Sequence, residues 1–93
     1  MSPLSKDSVP RLAGGCRMST APGQEDMLMI PEGALRLKGP GVGILELCDG
    51  QRTVAEIIDE LSRRFPSEDA ARIDAEVSAF LARLSARGAI EGL

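Results

Sequence analysis

The chain has no histidine, no tryptophan and no tyrosine, and only two phenylalanines and two cysteines among 93 residues. Losing histidine removes the commonest metal ligand and the commonest general base together. Cys16 and Cys48 form neither a CxxC redox pair nor a zinc-ligand spacing, so both read as reduced, half-buried small hydrophobes. The acids Glu46, Asp49, Glu56, Asp59 and Glu60 lack the register of a calcium loop and read as solvated helix faces. The expectation is a protein that is not an enzyme, with no catalytic residue, no metal site and no cofactor.

Other absences narrow the partners. Net positive charge is missing: the formal charge is −3, which argues against a general polyanion binder because nucleic-acid affinity rests largely on neutralising phosphates. No run reaches the roughly 20 apolar residues of a membrane span, and the first residues lack the apolar stretch of a signal peptide. A cytoplasmic location is the default expectation, with neither membrane nor nucleic acid as partner. Scarce aromatics leave the core to Leu, Ile, Val, Met and Ala, packed by aliphatic interdigitation.

What is present is the balance of a folded domain, 43% hydrophobic against 27% charged. Residues 1–9 mix Pro, Ser and charge without periodicity and read as a flexible leader, and residues 10–93 read as one domain. A first strand is expected around Cys16 to Ser19. DMLMI and ALRLK flank Pro31-Glu32-Gly33, which predicts a tight hairpin. Leu35 and Leu37 alternate with Arg36 and Lys38, the period-2 pattern of an outer strand with one buried and one wet face. KGPG, Lys38 to Gly41, breaks the sheet and reads as a hinge.

Three helices follow. A short apolar one is expected over 42–48, stopped by Asp49-Gly50. The next opens on Thr53 with Glu56 three residues on, a capping box, and carries Val54, Ile57, Ile58, Leu61 and Phe65 on one face. The last is expected over 68–87, with Ile73, Val77, Phe80, Leu81 and Leu84 buried and Gly88 as the stop. Ala75, Ala79, Ala82 and Ala86 line another face, either as good helix formers or as a shallow surface another backbone can approach. The order predicts an α+β fold of winged helix-turn-helix type, a three-stranded antiparallel sheet followed by three helices.

A DNA-reading helix should present several basic or amide side chains on one exposed face, and the last helix instead mixes Arg72, Arg83 and Arg87 with Glu68, Asp69, Asp74 and Glu76. The outer strand is the better candidate, because its unpaired amides and carbonyls can receive an extended peptide as an added strand.

PRLAGGCR, MLMIPEGALRL, ILELCDGQRTVAEIIDEL and VSAFLARL together resemble the PqqD family, peptide chaperones of pyrroloquinoline quinone (PQQ) biosynthesis. The resemblance spans residues 10–90. It implies a winged helix used as a recognition element for a ribosomally made peptide, the precursor of pyrroloquinoline quinone, delivered to a radical S-adenosylmethionine enzyme that performs the chemistry. It further implies that the peptide extends the sheet at Leu35, Arg36, Leu37 and Lys38 and rests against the last helix. Positions flanking that helix's buried stripe, Asp74, Ser78, Leu81 and Ser85, are the candidate wall. Rival readings are a winged-helix DNA-binding regulator and a structural dimerisation module. A homodimer formed by strand exchange about KGPG is a further expectation.

Overall fold

The computed structural model describes residues 5–37 and 40–93. Its elements run β1 (Arg11–Leu12), β2 (Arg17–Ser19), β3 (Met27–Ile30), β4 (Gly33–Arg36), α1 (Gly41–Glu46), α2 (Val54–Arg64), α3 (Ala70–Ala86) and β5 (Ile90–Glu91). The α+β class, with antiparallel strands and helices, is as expected. The strands, however, divide between two sheets where one is expected: β2-β3-β4, and a separate pair β1-β5. PRLAGG and AIEGL give little periodic signal, because a two-residue strand is set by its partner more than by its own pattern.

In the larger sheet β3 is central, with Met18 and Leu35 both opposite Leu28. Leu28 is fully buried and Leu35 half-buried, so this row faces the core, while Ala34 and Arg36 are exposed. Pro31 and Glu32 make the two-residue hairpin turn, after which Gly33 takes φ 149°, a region that L side chains rarely enter. Of the expected hinge, Lys38 and Gly39 lie outside the described residues. Pro40 is the N-cap of α1, and Gly41 is buried with the Phe80 ring 3.2 Å from where a Cβ would stand.

The core gathers Leu28 from the sheet, Ile44 from α1, Val54 and Ile57 from α2, and Val77 and Leu81 from α3. The capping box at the start of α2 forms as its spacing predicts. Thr53 Oγ1 accepts from the Glu56 N–H at 3.1 Å and Glu56 Oε1 accepts from the Thr53 N–H at 2.8 Å. Two further amides of that first turn are met from the N-terminal segment: the Ser8 carbonyl accepts from Val54 N–H at 2.9 Å and the Lys6 carbonyl from Ala55 N–H at 3.1 Å. Residues 5–9, expected to be a flexible leader, therefore cap α2, since helix N-termini leave amides that need acceptors from elsewhere. α3 is capped by Asp69, whose side chain accepts from Ala71 N–H at 2.9 Å.

Candidate functional site

β4 is an edge of its sheet, hydrogen-bonded to β3 on one side only. The phase of its free side follows from one bond. Leu37 N–H donates to the Asp26 carbonyl at 2.9 Å, so in this antiparallel register the inward-bonding residues are Leu37, Leu35 and Gly33. The amides and carbonyls of Ala34 and Arg36 then point away from β3. Their side chains share the wet face, with the Arg36 Nε 3.0 Å from Glu25 Oε2.

Beside this edge lies a groove of about 410 Å³. Leu35, Arg36 and Leu37 form one wall, and Phe80, Arg83, Leu84, Ala86 and Arg87 form the other. The C-terminal half of α3 supplies that second wall because Phe80 and Leu84 belong to its buried stripe, while Arg83 and Arg87, one turn apart, rim it. The Arg83 guanidinium sits 5.8 Å from the Phe80 ring centroid, a cation–π contact that holds it over the groove. A cleft with an apolar floor, a cationic rim and an unpaired strand edge can bind an extended peptide.

The expected site residues separate on the structure. Leu35, Arg36 and Leu37 line the groove, and Lys38 lies outside the described residues. Leu81 is fully buried in the core, where a guest could not reach it without opening the fold. Asp74 turns toward the N-terminal segment, its Oδ2 3.2 Å from Lys6 Nζ and its Oδ1 accepting from Ser78 Oγ at 3.3 Å. Ser85 is exposed and outside the groove lining. The structure brings none of these four to the groove. The second wall of the groove is formed by Phe80, Arg83, Leu84, Ala86 and Arg87, none of them among the expected site residues. The signal was available: Ala86 belongs to the alanine set, and Arg83 and Arg87 follow Phe80 and Leu84 by three residues each along one stripe.

Several other polar groups are engaged locally. Arg63 pairs with Asp59 at 2.9 Å and Glu60 at 2.6 Å, and Arg64 with Glu60 at 3.1 Å, so the basic residues ending α2 are tied to acids of the same helix. These arginines hold the Glu60 carboxyl below its usual range. Asp49 is likewise held low, chiefly by the Gln51 N–H it accepts at 2.9 Å. Burial, then the Asp49 charge, pushes the Cys48 thiol up to about 12, leaving it a neutral donor to the Ile44 carbonyl at 3.3 Å and a poor nucleophile. Among the described residues no cluster of three potential ligands could hold a metal ion. No helix there is long and apolar enough to cross a membrane.

Comparison with known proteins places the chain in a family. The family profile described as Coenzyme PQQ synthesis protein D (PqqD) matches residues 25–90. A PqqA binding protein of Pseudomonas aeruginosa is 43% identical over 82 residues, 87% of each chain. One from Azotobacter vinelandii is 35% identical over 92 residues, 98% of each. The solution NMR structure of the PqqD part of Methylobacterium extorquens PqqCD, titled a functional and stand-alone RiPP recognition element (RRE), superposes with a TM-score of 0.80 at 32% identity. That superposition covers 98% of this chain and 99% of the other. With the profile covering the sheet edge, the groove and all three helices, the chain belongs to the PqqD family.

Proposed function

We propose that this chain is a peptide chaperone that binds a PqqA-type precursor peptide by strand addition at β4 and presents it to a radical S-adenosylmethionine enzyme of the same pathway. The observation that carries this reading is the outward pair of backbone donors and acceptors at Ala34 and Arg36, directly beside a groove of about 410 Å³ toward which every second side chain of a guest strand would point. The relatives, PqqA binding proteins, supply the peptide's identity. On this reading the three helices and the β3–β4 hairpin serve as a winged helix whose helices brace a sheet edge and do not enter a DNA groove.

The energetics suit a carrier that must release its cargo. Two to four backbone bonds, each netting about 0.5–1.5 kcal/mol, plus a few buried side chains must outweigh the ordering of a free peptide, which places affinity around the micromolar range.

The test is an amide-shift titration of the full chain with a synthetic PqqA-type peptide. Shifts should concentrate at residues 33–37 and 80–87. Shifts confined to residues 5–9, or to the α2–α3 turn, would overturn the site. The same edge is open to strand exchange with a second copy, and sedimentation across a dilution series with and without peptide separates self-pairing from peptide capture.

A further inference from the structure

Resting on that reading, we infer that the groove selects a peptide bearing a carboxylate side chain two positions from an apolar one, held by Arg83 and Arg87. The whole molecule carries net charge −3, yet the described lining of this groove contains no acid. Of its three arginines, Arg36 is occupied by Glu25. Arg83 and Arg87 enter no ion pair among the described residues, whereas Arg11, Arg52, Arg63, Arg64 and Arg72 all do. Arg17 on β2 is likewise without an ion pair among the described residues, so two of the three such guanidiniums, Arg83 and Arg87, lie where the guest would.

Geometry sets the spacing. A strand added at β4 points alternate residues toward α3. Those inward residues meet Phe80 and Leu84 on the floor and Arg83 and Arg87 on the rim. The Arg83 guanidinium lies 5.8 Å from the Phe80 ring centroid and enters no ion pair among the described residues, so its N–H donors can be offered to a carboxylate in paired hydrogen bonds. A guest with apolar and acidic side chains at positions i and i+2 satisfies both features. A basic side chain there would face two like charges.

The experiment uses the full chain, a synthetic PqqA-type peptide, and peptide variants in which each Asp or Glu is singly changed to Asn or Gln. Affinities are measured against native protein and against Arg83→Gln, Arg87→Gln and the double variant. A single partly exposed pair predicts a loss of roughly three- to tenfold for the double variant. One peptide variant should show a similar loss on native protein, and the two together should lose no more than either alone. Charge exchange, Arg83→Glu with Arg87→Glu against a peptide carrying Lys at that one position, should recover binding.

Unchanged affinity of the double variant, with β4 amide shifts intact, would overturn the carboxylate selection and leave strand addition standing. Equal, additive losses for every peptide variant would overturn it too, by showing general attraction in place of a specific pair. No β4 shifts with the native pair of molecules would overturn both readings. Both arginines are exposed, and a thermal melt of each variant verifies that the fold is retained.

Discussion

Two clefts of nearly equal volume lie along one helix. Beside the N-terminal half of α3, Pro40, Ile44, Leu61, Phe65, Ile73 and Val77 line a space of about 400 Å³, with Glu68 and Glu76 among its polar residues. Beside the C-terminal half, the β4 groove has about 410 Å³ and arginines at its rim. The first is walled largely by helices, whose interior backbone groups are spent on their own bonds. The second is walled on one side by a strand edge with spare donors and acceptors. The difference teaches that size does not select the peptide site: an extended guest needs main-chain partners, and only the strand edge offers a row of them.

The largest expected effect falls on the stripe both clefts share. Leu81→Ala, at a position 0% exposed, should destabilise the fold by about 2–5 kcal/mol through lost burial and a residual cavity. Urea unfolding checks this, and a loss below about 1 kcal/mol would mean that α3 is not anchored as described.

Arg36→Pro should next separate the clefts. Proline is tolerated on an edge strand but removes the outward N–H, so peptide affinity should fall tenfold or more, about 1.4 kcal/mol, with the fold retained. The exposed Arg36–Glu25 pair lost with it contributes little. Isothermal titration with a PqqA-type peptide reads the change.

Gly41→Ala should follow, at about 1 kcal/mol of stability, because its Cβ would press the Phe80 ring and that ring floors the groove. A thermal melt and a peptide titration together test it, the second expected to weaken a few-fold.

Smallest of all is Phe65→Ser. Phe65 is 49% exposed in the helical cleft, and the substitution should leave peptide affinity within about twofold of native. A large loss there would move the binding site to the wrong cleft.

Much of this was legible in the residues. The Thr53/Glu56 capping box, the α3 stripe and the Pro-Glu-Gly hairpin follow from local chemistry and form where their spacing places them; of the α2 stripe Val54, Ile57 and Leu61 are buried, whereas Phe65, expected on the same face, is the C-cap and 49% exposed because the helix ends before it. The outer strand at Leu35–Leu37 was legible from alternation. What the residues left open depends on tertiary docking. Flanking positions on a helix are equivalent in sequence, and only the packing of α3 decides that Arg83 and Arg87 line the β4 groove while Asp74 pairs with Lys6. The capping of α2 by Lys6 and Ser8 was invisible for the same reason: it runs through backbone carbonyls, which carry no side-chain signature.

Amide hydrogen exchange along β4, with and without a PqqA-type peptide, tests the free strand edge most directly. In the free chain at high dilution, Leu35 and Leu37 should be protected while Ala34 and Arg36 exchange fast, and peptide should slow the second pair selectively. Protection of Ala34 and Arg36 before any peptide is added, or fast exchange at both in its saturating presence, would contradict strand addition at this edge.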